Sequence, residues 1–445
     1  MSRSGAWWSR SLAAIASERQ TTMTAIGLID CNNYYVSCER AFDASLVGVP
    51  VIVASNNDGC AIARSQEAKV LGVKMGDPVH LIRDRLTRHG VRVLSSNYTL
   101  YGDMQRRVLA AVDAFASEIE IYSIDECFVD LTPFETRDLT AHVNGMRDQV
   151  RRWTTIPTCV GIGPTKTLAK LANAAAKKNP LFDGVADLRD PVIRAFVLDR
   201  FPVGDVWGIG RATAAKLAAL GVATAGQLRD LQMKQARGLG TVVLERLVAE
   251  LQGVAAAAVE AVEPQRRGMA VTRSFGTPVN DLDTLMGAVS QYAMRGGEKL
   301  RSHGLVAGQL TVFFHTNKHR RDLPQYQASR RISLYPMTAD SFELIAAARR
   351  GVETAWRDGH ASTKAGIMLD DLVAAELRPR TLFEGDGDRR ERLMTAIDAV
   401  NGRYGKFTMV PGSQGFKRDW RARADSMSPA WTTRLAEVPV INASR

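Results

Sequence analysis

Short apolar runs that end in acidic or glycine residues alternate with stretches whose apolar positions recur every three or four residues, the pattern of a chain mixing strands and helices. Ala25-Ile26-Gly27-Leu28-Ile29 is such a run and closes at Asp30. Val49-Pro50-Val51-Ile52-Val53-Ala54 is another, and Asn56-Asn57-Asp58-Gly59 behind it is turn chemistry, because these residues accept positive φ. Cys60-Ala61-Ile62-Ala63 returns the chain, and Ser65 to Val70 predicts a short helix stopped by Gly72. From Tyr101 to Ala116, Met104, Val108, Leu109, Val112 and Phe115 keep near-helical spacing, which predicts a helix lying on a sheet. Glu118 to Tyr122 and Cys127 to Leu131 read as two strands flanking a hairpin bend at Ser123-Ile124-Asp125-Glu126. Cys159 to Gly163 predicts a strand feeding a helix that carries Lys166, Lys170, Lys177 and Lys178; that basic face either meets a polyphosphate or faces water.

Beyond it, Val206-Trp207-Gly208-Ile209-Gly210-Arg211 is a glycine turn ahead of an Ala-rich helix, Ala212 to Leu220. Such a turn exposes backbone N–H groups at a helix N-terminus, where DNA phosphate binds without sequence being read. Glu263 to Gly268 is the expected linker. After it come a helix (Thr284 to His303), a strand (Gly308 to Phe314), a basic loop at Lys318-His319-Arg320-Arg321, a strand (Arg330 to Leu334), a helix (Phe342 to Trp356) and a strand (Lys364 to Leu369). This predicts an α+β module with an exposed basic loop. From Arg378 onward arginines accompany glycines, yet Phe383, Phe407, Phe416, Trp420 and Trp431 exceed what a solubilising tail needs, so the tail is expected to dock a partner.

A chain of 445 residues calls for two to four domains. Its net charge of +11 favours a polyanionic partner, although a basic surface also serves solubility. The five cysteines, Cys31, Cys38, Cys60, Cys127 and Cys159, form no Cys-x-x-Cys pair and read as reduced thiols of a cytosolic protein. No apolar stretch approaches the roughly 20 residues that span a bilayer. The first 22 residues are expected to be a dispensable N-terminal tail, with Met23 as an alternative start.

The chemistry concentrates at Asp30, Asp125 and Glu126. An adjacent Asp-Glu pair alone reads as a solvated turn. Set at the bend of an apolar hairpin, and joined by a third acid at another strand end, it needs a cation or a proton. Hard divalent cations take such oxygen ligands, and paired ions clamp the attacking and leaving oxygens of a phosphoryl displacement.

The string Asp30-Cys31-Asn32-Asn33-Tyr34-Tyr35-Val36-Ser37-Cys38-Glu39, with Tyr122-Ser123-Ile124-Asp125-Glu126-Cys127-Phe128, resembles the Y-family, or translesion, DNA polymerases. Ser55-Asn56-Asn57-Asp58-Gly59-Cys60-Ala61-Ile62-Ala63-Arg64 is similar to the UmuC type, the catalytic subunits of bacterial DNA polymerase V. The resemblance runs from about Ala25 to the C-terminus. It implies a multidomain α/β and α+β fold: a ferredoxin-like palm with small fingers (23–190, fingers about 48–97), a helix-hairpin-helix thumb (191–262), an α+β little finger (263–377) and a C-terminal partner-binding extension (378–445). It also implies error-prone, template-directed translesion synthesis in the SOS response.

By the same resemblance, Asp30, Asp125, Glu126 and the Cys31 carbonyl would hold two Mg²⁺. Tyr35 would be the steric gate against a 2′-hydroxyl, or else a core tyrosine. Lys69 and Lys177 would contact the phosphates of the incoming deoxynucleoside triphosphate. Many relatives carry a Tyr beside the first of these lysines, where this chain has Gln66. Gly208, Gly210 and Arg211 of the thumb and Lys318, Arg320 and Arg321 of the little finger would grip primer-template DNA. A processed UmuD dimer and RecA would be partners, in a cytoplasmic, nucleoid-associated setting. The sliding clamp is a further candidate, but its peptide is reduced here to Thr381-Leu382-Phe383 after Pro379-Arg380. A catalytically silent DNA-binding homologue is the competing reading, since fold alone does not guarantee activity. The intact acid triad speaks against it. The glycine-turn thumb and basic last module speak against a third reading, a nucleotide cyclase.

Overall fold

The computed structural model describes residues 24–260, 265–378, 387–415, 420 and 422–438; the expected tail 1–22 and the clamp-like segment at Thr381 lie outside them. The described residues fall into two compact units, one drawn from 24–54, 60–260 and 426–438, the other from 55–59 and 265–425.

The main sheet of the first unit has the order β5-β6-β1-β7-β8. Its strands are β1 (Ile26–Cys31), β5 (Ile119–Ile121), β6 (Glu126–Asp130), β7 (Thr158–Gly163) and β8 (Val185–Asp187). β1 lies antiparallel between β6 and β7 and is buried along its whole length. Because side chains alternate across a strand, Ile29 and Cys31 enter the core formed with α4 (Tyr98–Val112) and α5 (Leu139–Thr154). Ile26 and Leu28 instead pack with Phe128 against Ala169 of α6 (Lys166–Lys178). That alternation carries Asp30 to the α6 side. α6 lies close because β7 is glycine-rich: a Cβ on Gly161 would fall 2.1 Å from the Asn173 nitrogen.

A smaller sheet, β3-β2-β4, is built from β2 (Val51–Ala54), β3 (Ala61–Arg64) and β4 (Arg92–Ser95), with α2 (Gln66–Val70) and α3 (Val79–Arg88) beside it. The helix α1 (Tyr34–Arg40) leaves the end of β1 through Asn33, whose φ of 49° is of the kind asparagine tolerates. A helical group, α7 (Pro191–Leu198), α8 (Arg211–Ala219), α9 (Ala225–Arg229) and α10 (Met233–Leu251), shares a core with α6.

The second unit holds one antiparallel sheet, β11-β10-β12-β9, made of β9 (Gly268–Val279), β10 (Leu305–His315), β11 (Gln327–Thr338) and β12 (Ser362–Ala374). α11 (Leu282–Ser302) and α12 (Ser341–Glu353) supply the other half of its core. β9 was not legible, because Arg273, Ser274 and Gly276 dilute its apolar positions.

The largest departure from expectation is the C-terminal extension. α13 (Gly387–Tyr404) brings Met394 and Ile397 into the core of the second unit, where Trp420 is also buried. Arg301 grips Asp398 through two hydrogen bonds of 2.7 Å each. Residues 426–438 belong to the first unit, where Trp431 packs on its core. Trp420 is thus part of the second unit's core, and Trp431 packs partly buried on that of the first. Phe416 lies outside the described residues.

Candidate active site

Asp30 and Glu126 are register partners on neighbouring strands, so their side chains emerge on one face. They are also hydrogen-bonded to each other. Burial pushes the Asp30 carboxyl up to about 7, with the nearby Lys177 ammonium opposing and the contact with Glu126 adding to the rise. Burial acts the same way on Glu126, but hydrogen bonds from Asp30 and Lys170 outweigh it and its pKa is lowered. The two acids thus sit in opposite electrostatic settings, Asp30 held up by burial and Glu126 held down by its partners.

α6 aims its cations at these acids. Lys177 pairs with Asp30, Lys170 Nζ lies 2.8 Å from Glu126 Oε2, and Lys166 pairs with Glu120. Lys170 also sits 4.2 Å from the Tyr122 ring centre, and Trp207 Nε1 donates to the Tyr122 hydroxyl at 3.0 Å. The lysine face is divided among several settings. Lys166 is buried, and only Lys178, 3.5 Å from Asp205, has a side chain more than half exposed.

Asp125 is held differently. Ser123 Oγ donates to its Oδ1 at 2.6 Å and accepts from the Asp125 and Glu126 amides, closing a local turn. The Cys31 amide donates to the Asp125 carbonyl, fixing the hairpin bend against the end of β1. Among the described residues, no three acidic, histidine or cysteine side chains converge as a ready metal site. The donor set itself, three carboxylates beside a strand-end carbonyl, is oxygen-only and fits a hard divalent ion.

A cleft opens in front of Asp30 and Asp125. Its walls include Tyr35, Arg64, Lys69 and Lys177. Lys69 Nζ donates to Asn33 Oδ1, and its pKa is lowered by burial and then by the neighbouring charges of Arg64 and Lys177. Three cations crowded into one cleft favour a multiply charged anion. Arg64, quoted above only within a motif, is a site residue that spacing did not single out. The Tyr35 ring stacks on Tyr101, 4.4 Å between centres and 15° between planes, with Tyr98 edge-on at 5.9 Å.

The expected DNA contacts stand on exposed ground. Gly208 has φ +88°, reachable without strain only by glycine, and Gly210 caps the N-terminus of α8 at Arg211 with no side-chain cap. In the second unit Lys318, Arg320 and Arg321 sit on the exposed β10–β11 connection, where Arg320 pairs with Asp322 at 2.6 Å.

Asp30→Asn tests the electrostatics. A carboxyl whose folded pKa is raised binds more protons folded than unfolded, so its contribution to stability falls as pH rises from its ordinary value near 4 through about 7. In the presence of a chelator, Asp30→Asn should therefore raise Tm at pH 8 by more than at pH 5. Equal shifts at both values would mean that the group carries no such burden.

A mixed palm sheet with paired acids, a small second sheet, a glycine-turn helical group and a separate four-stranded module together define a Y-family DNA polymerase. Comparison with known proteins agrees. Residues 29–174 match the model of the impB/mucB/samB family and residues 266–382 that of its C-terminal domain. Residues 195–222 match the IMS family HHH motif, and residues 391–441 a domain of unknown function (DUF4113). Protein UmuC of Salmonella typhimurium is 40% identical over 415 residues, covering 92% of this chain and 98% of that protein. Protein ImpB of the same organism is 38% identical over 422 residues, covering 93% and 98%. DNA polymerase IV of Moorella thermoacetica is 28% identical over 406 residues, covering 86% and 94%. Among solved structures, a Y-family DNA polymerase chimera superposes with a TM-score of 0.63 at 19% identity, over 78% of this chain and 99% of the other. The chain belongs to the impB/mucB/samB family, the UmuC type of Y-family DNA-directed DNA polymerase.

Proposed function

We propose that the chain carries out error-prone translesion synthesis in the SOS response, using two Mg²⁺ held by Asp30, Asp125, Glu126 and the Cys31 carbonyl. The observation that carries this reading is that Asp30, which pairs in register with Glu126, and Asp125 line a cleft also walled by Tyr35, Arg64, Lys69 and Lys177. Bound divalent ions supply Lewis-acid activation of the primer 3′-hydroxyl and neutralise charge on the leaving pyrophosphate. The protein's own groups do the rest. Arg64, Lys69 and Lys177 bind and orient the triphosphate of a deoxynucleotide, and Lys177 exchanges its pairing with Asp30 for that phosphate. Tyr35, backed by Tyr101, closes the space beneath the sugar. Backbone amides at the Gly208–Gly210 turn, with Arg211, Lys318, Arg320 and Arg321, grip primer-template DNA without reading sequence.

The UmuC-type resemblance supports a processed UmuD dimer and RecA as partners and a cytoplasmic, nucleoid-associated place of action. It allows the sliding clamp through the degenerate Thr381-Leu382-Phe383. No described helix is long and apolar enough to cross a membrane.

Primer extension on undamaged and abasic templates, with and without the partner proteins, tests the reading. Extension past the abasic site is the expected result, and its absence under every condition would favour the silent homologue. In the same assay Tyr35→Ala should raise the ratio of ribo- to deoxynucleotide use, because the lost contact penalises only a sugar bearing a 2′-hydroxyl. Lys177→Ala should weaken both nucleotides alike. A sugar-dependent loss there would place Lys177 away from the phosphates.

A further inference from the structure

We propose that residues 426–438, the last described segment of the chain, form a strap that positions the Tyr35 ring and so sets sugar discrimination. The proposal rests on the reading of Tyr35 as the gate. Tyr35 sits in the first turn of α1, a helix of seven residues too short to hold its own position. What holds it is α4 behind it and the strap behind both. The Tyr34 hydroxyl donates to the Tyr101 carbonyl at 2.6 Å, and the Tyr101 hydroxyl donates to Glu39 Oε1 at 2.7 Å. The same carboxylate oxygen accepts from Ser428 Oγ at 3.1 Å. Glu39 is only 2% exposed, and those two hydroxyls are hydrogen-bond donors to it.

The strap reaches the other support of the gate as well. Asn97 caps α4 by accepting from the Leu100 amide, and its Nδ2 donates to Ser428 Oγ at 2.9 Å and to the Ser428 and Pro429 carbonyls. Met427 adds a parallel bridge to Ser95, the last residue of β4. Beyond the C-terminal end of α1, Trp431 stacks on Phe42 with planes 7° apart. The strap thus grips α1 at Glu39, Phe42 just beyond its end, and α4 at its cap, one residue before Tyr98 and four before Tyr101. Those two rings touch Tyr35, as does that of Tyr34 on α1 itself. A strap that served only to hide an apolar surface would have no need of a serine hydroxyl on a buried carboxylate.

Ser428 is a positioning residue, and its removal should change selectivity more than turnover. In the full-length chain with its metal and primer-template, Ser428→Ala should raise the ribo- to deoxynucleotide ratio of kcat/KM roughly three- to tenfold, the span that one lost hydrogen bond of ordinary strength transmits, and Trp431→Ala, which removes the ring stacked on Phe42, should raise it as well. Ser428→Thr, which keeps the hydroxyl, should restore the ratio. In a Tyr35→Ala background the strap substitutions should add nothing, because the strap acts through that ring. Melting curves confirm that each variant is folded. A raised ratio in Tyr35→Ala with an unchanged ratio in folded Ser428→Ala and Trp431→Ala would overturn the strap proposal alone. An unchanged ratio in Tyr35→Ala itself would overturn the gate reading and the strap with it.

Discussion

Asp125→Ala and Glu126→Ala should each lower primer extension by at least about 10³-fold, near 4 kcal/mol of barrier, while primer-template affinity stays within about twofold. The asymmetry follows from where the charges sit. The acids lie at strand ends beside the cleft and are assigned to the transition state, while duplex binding is assigned to the exposed glycine turn and basic loop. The fold should survive. Cys127, Phe128 and Val129, which follow Glu126 on β6, carry the strand's packing, and the two acids contribute like charge that the sheet does not need. Glu126→Gln keeps the shape and removes only the charge, which separates chemistry from packing. Its Lys170 neighbour would then lose the charge of its partner while keeping the surrounding Tyr122, Trp207 and Phe128 rings. Single-turnover extension alongside a binding titration decides the matter: turnover within about tenfold of the unaltered enzyme would sink the carboxylate assignment.

Much of this site was legible because its logic is local. A strand that ends in Asp, and a hairpin bent at Ser-Ile-Asp-Glu, declare themselves through apolar flanks, and alternation along β1 then dictates which face Asp30 takes. The lysines of α6 were legible as a basic face but not in their partners. Whether such a face meets water or acid depends on how closely the helix lies on the sheet, and that closeness comes from Gly161 and Gly163 on a different element. Arg64 was hidden for a similar reason. Nothing in its spacing separates it from a surface arginine until β3 folds back beside α2 and puts it across the cleft from Lys177.

The internal packing of the C-terminal extension was not legible from composition. Arginines and glycines around scattered aromatics suggested a docking tail, and only the folded chain shows Asn97 and Glu39 waiting for Ser428. Contacts separated by more than 300 residues leave no trace in local pattern, whereas the hairpin around Asp125 is complete within about a dozen residues.

That difference carries the last expected result. Trp420 is 6% exposed and meets Tyr292 edge-on at 5.7 Å and Phe275 at 6.3 Å, in the same core as Met394 and Ile397. Replacing a buried tryptophan by alanine removes its transfer energy and leaves a cavity, so Trp420→Ala should destabilise the second unit by about 3–5 kcal/mol. Ending the chain after Leu377 removes all three apolar side chains, together with the Asp398 partner of Arg301 and the strap on the first unit. An Arg301 left partly buried without its carboxylate adds a further cost. A chain so shortened should lose basal extension through instability, with or without partner proteins, and should not behave as an intact core lacking only a docking tail. Leu435→Ala, at a side chain 95% exposed, should by contrast change stability by no more than about 0.5 kcal/mol. Denaturant unfolding of the three variants, read beside unstimulated extension, separates the alternatives: a truncated chain as stable and as active as the full one would show that the extension only borders the second unit's core and does not help to build it.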